Sequence, residues 1–142
     1  IGSNTGGSLL CSYETSKYHN VKYIAIDPFK CESFVKPAFY ENTKQIDCAF
    51  YEKSSGDVVD IFKGNSIDLL LIDGDHTYEG TKQDILNYWS KLKIGGKILI
   101  HDVIHPVFTG VANAVVETIR NHSFEKLEKS TFVLVEKLSE DL

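Results

Sequence analysis

The chain of 142 residues contains no methionine, three prolines, one tryptophan and three cysteines. Cys11, Cys31 and Cys48 are odd in number and lie 20 and 17 residues apart. That spacing fits neither a zinc ribbon nor a disulfide framework, so a reducing, cytoplasmic setting is expected. No apolar run approaches the ~20 residues needed to cross a bilayer, and no charged-then-apolar leader opens the chain, so no membrane segment is expected. Positive charge is also short: 15 Lys and Arg stand against 20 Asp and Glu, a formal net charge of -5. This balance argues against a surface that grips nucleic-acid phosphates and favours a small-molecule partner. With 42% hydrophobic and 25% charged residues the composition is globular. A domain of this length buries roughly 68% of its unfolded surface and needs no metal or disulfide staple to stay folded.

No repeat or linker divides the sequence, so residues 1–142 are read as one domain. Val21 to Ile26 is β-branched and aromatic and stops at Asp27-Pro28; Ile46 to Tyr51 is a weaker strand. Ile67 to Ile72 is nearly all apolar, as a strand covered on both faces must be, and ends at Asp73-Gly74-Asp75-His76. Lys97 to Ile100 repeats the pattern and ends at His101-Asp102. Between strands the period becomes helical, with Tyr78, Ile85, Trp89 and Leu92 on one face and Lys82, Asp84, Asn87 and Lys91 mostly off it. Lys93 to Gly96 stops that helix, Val111 to Ile119 forms another, and Gly56 to Phe62 a shorter one. Ser123 to Leu127 and Thr131 to Glu136 read as an antiparallel hairpin at a sheet edge. The alternation predicts a Rossmann-like, doubly wound α/β fold with a mainly parallel sheet, whose ligands sit beyond the carboxyl ends of the strands. Asp27, Asp73 to His76 and His101 to His105 all lie at such ends.

Gly2-Ser3-Asn4-Thr5-Gly6-Gly7-Ser8 precedes an amphipathic run, Leu9 to Lys17, placing the glycines where a strand turns into a helix. Glycine permits close approach of a ligand there, and exposed amides at the helix start favour polar or anionic groups. Asp27 follows Gly7 by 20 residues, the spacing at which an acidic residue accepts both hydroxyls of a nucleoside ribose. The loop lacks G-x-G-x-x-G, so a cofactor without a diphosphate fits better than a dinucleotide. A linker-like terminus is the competing reading of the same residues.

Four segments carry a resemblance: Ile1 to Ser8, Ile26-Asp27-Pro28-Phe29, Ile72-Asp73-Gly74-Asp75-His76-Thr77-Tyr78-Glu79-Gly80, and Gly95 to Val103. Together, and in this order, they resemble the class I S-adenosylmethionine-dependent methyltransferases, above all the small-molecule branch known as methyltransferase family 24. The resemblance implies that Gly2, Ser3 and Gly6 line the methionine part of the cofactor, that Asp27 holds its ribose and that Phe29 flanks the adenine. Ser54-Ser55 stands where the family often carries Asp-Ser beside the adenine amine, and Asp73 is implied at the sulfonium end. It also implies that the strand before Gly2 is largely missing, so that the domain is incomplete at its N-terminus and the sheet has a gap between the strands ending at Asp27 and Asp73.

Asp73, Asp75, His76, His101, Asp102 and His105 are expected on two neighbouring strand ends, where carboxylates and imidazoles could converge on a divalent metal. In related enzymes the positions matching Asp73 and the pair His101-Asp102 ligate magnesium. Here the histidine suits a softer ion such as manganese, iron or zinc, or no ion at all. His76 is the candidate general base, with Asp73 assisting, because methyl transfer requires the acceptor to lose a proton. The competing readings are that His76 caps the following helix, or packs on Tyr78. The function expected is S-adenosylmethionine-dependent O-methylation of a small-molecule acceptor such as a sugar or phenol, with homo-oligomerisation left open. The alternatives are a metal-dependent hydroxylase or hydrolase using Asp73, His101 and Asp102, and a non-catalytic nucleoside-binding domain. Cys31 to Tyr40, a mixed aromatic and basic stretch, identifies no acceptor.

Overall fold

The computed structural model describes residues 1–120 and 122–142, in two compact units, Ile1–Ser55 and Gly56–Leu142. The first unit runs α1 (Gly7–Ser16), β1 (Tyr23–Ile26), α2 (Val35–Thr43), β2 (Cys48–Tyr51). β1 and β2 pair in parallel, from Tyr23 opposite Cys48 to Ile26 opposite Tyr51, and parallel neighbours need a crossover such as α2 between them. Its second half lies beyond the stretch that sequence left unassigned. Val35, Phe39 and Thr43, spaced at one helical turn, are its buried face. Pro37 falls in the first turn, where its missing N–H breaks no intrahelical bond. Phe29, Phe39 and Phe50 form the aromatic centre of this unit, with ring centroids 4.8 to 5.5 Å apart. The amphipathic α1 buries none of its residues.

The second unit continues with α3 (Ser55–Val58), a 3-10 turn (Val59–Ile61), β3 (Ile67–Ile72), α4 (Tyr78–Trp89), β4 (Leu92–Ile100), α5 (Thr109–Ile119), β5 (Phe124–Lys126) and β6 (Val133–Glu136). The strand order is β3-β4-β6-β5. β3 and β4 are parallel, whereas β6 is antiparallel to both β4 and β5. The expectation of one mainly parallel sheet is therefore corrected to two sheets of mixed orientation. The C-terminal hairpin inserts β6 between β4 and β5, so only one pairing in the larger sheet is parallel. β3 is an edge strand, and among the described residues no strand precedes α1.

α4 buries Thr81, Asp84, Ile85, Tyr88 and Trp89, and α5 buries Val111, Ala114, Val115, Thr118 and Ile119. Both stripes follow the three-and-four spacing of a helix packed on one side. Ile98, Ile100, Val133 and Val135 supply the sheet side of this core. Asp84, expected off the apolar face, is buried; Leu92 belongs to β4, which begins at once and passes an irregular register through Gly95 at φ 78°. The starts of α4 and α5 touch, since a Cβ on Gly110 would lie 2.7 Å from the Tyr78 nitrogen. Further along, Lys82 Nζ lies 2.7 Å from Glu117 and 2.9 Å from the Tyr78 hydroxyl, which itself donates to Glu117.

Candidate functional site

In the first unit the glycine loop is hydrogen-bonded onto the end of β1. The Gly2 amide donates to the Ile26 carbonyl at 2.9 Å, the Ser3 hydroxyl reaches the same carbonyl at 3.4 Å, and the Gly6 amide donates to Ser3 at 2.8 Å. Positive φ at Gly2, Asn4 and Gly6 produces this winding. Asp27 is its anchor: the Asn4 amide donates to Oδ2 at 2.8 Å and the Phe29 amide to Oδ1 at 2.7 Å. The carboxylate is almost wholly buried, yet backbone amides rather than a cation hold it. Two oxygens offer about four lone-pair sites, so two remain for hydroxyl donors. Gly2, Ser3, Gly6, Asp27 and Phe29 are thus brought together, and the Phe29 ring lies 5.3 Å from that of Phe50. Ser54 and Ser55 stand at the start of α3.

In the second unit β3 and β4 end side by side, Ile72 opposite Ile100, and the His101 amide extends the ladder to the Ile72 carbonyl at 2.9 Å. Asp73 and His101 leave these ends together. One oxygen, Asp73 Oδ1, lies 2.7 Å from His101 Nδ1 and 3.3 Å from His76 Nε2. Ionised carboxylates only accept, so both nitrogens present N–H to it. Asp102 closes the other side, 3.4 Å from His101 Nε2 and 3.8 Å from His76 Nε2. Its buried carboxylate also accepts from the Thr131 hydroxyl at 2.9 Å, and its backbone sits at φ 56°.

Neighbouring residues explain how His76 is aimed. Thr77, not His76, caps α4, its hydroxyl accepting from the Gly80 amide at 3.0 Å. Asp75 Oδ1 accepts from the Thr77 amide at 3.0 Å, and the Gly80 backbone packs so closely on Asp75 that a Cβ there would lie 2.6 Å from its side chain. Asp75 is therefore a turn residue, and the turn releases His76 toward Asp73. Four rings stand in a row. Phe108 lies 4.7 Å from His76, His76 lies 6.2 Å from His101, and His101 lies 4.4 Å from Phe132. His105 stacks on Phe108 at 4.8 Å, and its Nδ1 accepts from the Val107 amide.

Donor atoms of Asp73, His76 and His101 lie within 4.8 Å of one another, a grouping that includes His76 and omits the expected Asp102. Their geometry does not fit a resident metal. Both imidazoles turn an N–H toward Asp73, whereas a metal ligand must turn a lone pair toward the ion. No step is derived through a metal.

The sequence pattern of methyltransferase family 24, described as a methyltransferase domain, matches residues 1–103. The chain belongs to this methyltransferase family. Indole glucosinolate O-methyltransferase 5 of Arabidopsis thaliana is 32% identical over 107 residues, 75% of this chain but only 26% of the plant protein. The chain therefore spans about a quarter of that relative. Among solved structures, the O-methyltransferase NovP superposes with a TM-score of 0.73 at 14% identity, covering 95% of this chain and 69% of that one. The S-adenosylhomocysteine-bound Podospora anserina methyltransferase PaMTH1 gives 0.71 at 15%, covering 96% and 69%. At such identities these structures establish the methyltransferase fold. Among the described residues no helix is long and apolar enough to cross a membrane.

Sequence reasoning missed Phe108, Thr131 and Phe132, which touch the imidazoles or Asp102. Phe108 follows His105 by three residues, a signal available in principle. Phe132 comes from β6, about 30 residues away in sequence, and only strand pairing brings it near.

Proposed function

We propose that this chain is the catalytic domain of an S-adenosylmethionine-dependent O-methyltransferase acting on a small-molecule hydroxyl. The residues of the first unit suit the cofactor: a buried carboxylate with spare lone pairs for the ribose hydroxyls, an aromatic ring two residues on, and a glycine loop whose Gly7 faces open space. Gly2, Ser3 and Gly6 would shape the methionine end, Asp27 the ribose, Phe29, Ser54 and Ser55 the adenine. The bound cofactor supplies an electrophilic methyl group on a sulfonium.

The observation that carries the chemistry is the pair His76–Asp73, at 3.3 Å. Asp73 takes the Nε2–H of His76 and thereby fixes the tautomer in which Nδ1 holds the lone pair. His76 Nδ1 then removes the acceptor hydroxyl proton, and Asp73 stabilises the imidazolium that results. The names of the relatives, an indole glucosinolate O-methyltransferase and the O-methyltransferase NovP, support oxygen as the atom methylated.

Transfer of label from methyl-labelled S-adenosylmethionine to a panel of phenols and simple sugars tests this reading. His76→Ala is expected to lower kcat by about 10²- to 10⁴-fold with cofactor affinity retained. Unchanged turnover in that variant contradicts the assignment of the base. Because no step runs through a metal, excess chelator is expected to leave turnover within about twofold, where a metal-dependent site would lose most of its activity.

A further inference from the structure

The surface around His76 says what kind of acceptor it receives, an inference that rests on the methyltransferase reading above. We propose that the acceptor is an uncharged hydroxylated aromatic ring, received against Phe108 and Phe132, rather than a sugar or a nucleotide sugar. Three observations converge.

The first is the row of rings itself. Phe108 lies 4.7 Å from His76 at 37°, and Phe132 lies 4.4 Å from His101 at 42°, so each imidazole is flanked by a phenyl ring. Neither phenylalanine is buried, and the imidazole side chains are 31% and 30% exposed. The rings therefore meet solvent where an acceptor would enter. Offset or edge contacts between such rings and an aromatic ligand add attraction beyond the area they bury.

The second is the polar inventory. Residues 103–108 read Val-Ile-His-Pro-Val-Phe, with no carboxylate, amide or hydroxyl side chain. Ile104 is 42% and Val107 73% exposed. The one nearby hydroxyl, Thr131, already donates to Asp102, and the His105 Nδ1 is taken by the Val107 amide. A sugar presents several hydroxyls that each lose water on entry and need partners in return. This loop supplies apolar cover instead.

The third is charge. Asp73, Asp75 and Asp102 sit together, and segments 71–79 and 99–108 contain no lysine or arginine. Asp73 and Asp102 pair with imidazoles. A diphosphate brought to this face meets like charge and no cation to offset it.

The test is calorimetric titration with 7-hydroxycoumarin, methyl glucoside and UDP-glucose, each with and without S-adenosylhomocysteine, on the wild type, Phe108→Leu, Phe132→Leu and Phe108→Tyr. The coumarin is expected to bind, to weaken about 3- to 10-fold in each leucine variant, and to recover in Phe108→Tyr. S-adenosylhomocysteine affinity and melting temperature should stay close to wild type in all three. Coumarin binding that ignores both leucine variants, or glucoside or UDP-glucose binding as tight as coumarin, overturns the proposal. Absence of coumarin binding beside intact S-adenosylhomocysteine binding overturns the acceptor assignment alone. Failure of S-adenosylhomocysteine to bind overturns the underlying reading and this assignment with it.

Discussion

Gly6 and Gly7 are neighbours with opposite requirements. Gly6 sits at φ 82°, and a Cβ there would lie 2.6 Å from the Thr43 methyl. Strain and clash act together, so Gly6→Ala should cost about 1–3 kcal/mol in thermal or urea unfolding. Gly7 opens α1 with nothing within 4 Å of its absent Cβ, and Gly7→Ala should gain up to about 1 kcal/mol. Gly80 looks like Gly7 by position in a helix, but its backbone lies against Asp75. There the clash outweighs helix propensity, and Gly80→Ala should destabilise by about 1–3 kcal/mol. The sequence marked all three as glycines near turns. It carried no sign of which ones have a neighbour, because Thr43 lies 37 residues from Gly6. The thiols can be told apart in the same way. Cys11 and Cys31 are exposed, while burial of Cys48 pushes its thiol pKa up. Iodoacetamide at mildly alkaline pH should label Cys11 and Cys31 first; preferential labelling of Cys48 would contradict this placement.

Among the elements, the apolar strands and the stripes of α4 and α5 were readable, because burial on one or both faces writes itself into a period. α2 was hidden by Pro37 and by the charged residues between Val35, Phe39 and Thr43. The tail after β6 carried no such period, yet it contains the one fully buried cation of the described residues. Lys137 Nζ lies 3.1 Å from the Trp89 carbonyl, 2.9 Å from that of Leu92 and 2.7 Å from Glu140. Those carbonyls close the C-terminal end of α4, where a cation meets the negative end of the helix dipole. The Trp89 indole N–H adds a bond to the Glu140 carbonyl at 3.1 Å, and the tail is thereby fastened to the helix. Lys137→Met removes the donor and leaves buried carbonyls unpaired, so it should cost about 3 kcal/mol in chemical denaturation. A loss below about 0.5 kcal/mol, the scale of an ordinary surface change, would show that the tail is not held this way.

At the scale of the whole molecule, the strand ends matter more than the strand order. Asp27, Asp73, His101 and Asp102 were legible as strand-end residues, and each unit gathers its own set into a hydrogen-bonded group. The sheet was less legible: β6 enters antiparallel, and β1–β2 stands as a separate pair, because pairing partners are chosen by the folded chain and not by any one segment. The roles of the candidate residues follow from who bonds to whom. Asp75 shapes a turn, Asp102 is held by Thr131, and Asp73 is left to orient His76. For the cofactor, Asp27 is the residue on which the account turns, since it both winds the glycine loop and keeps lone pairs for the ribose. Calorimetric titration of S-adenosylhomocysteine into the wild-type chain and Asp27→Asn, in the presence of chelator, tests this most directly. The account predicts measurable one-to-one binding by the wild type, weakened at least about 10-fold in Asp27→Asn by loss of charge-assisted hydrogen bonds. No detectable binding by the wild type, or equal binding by the two proteins, would contradict it.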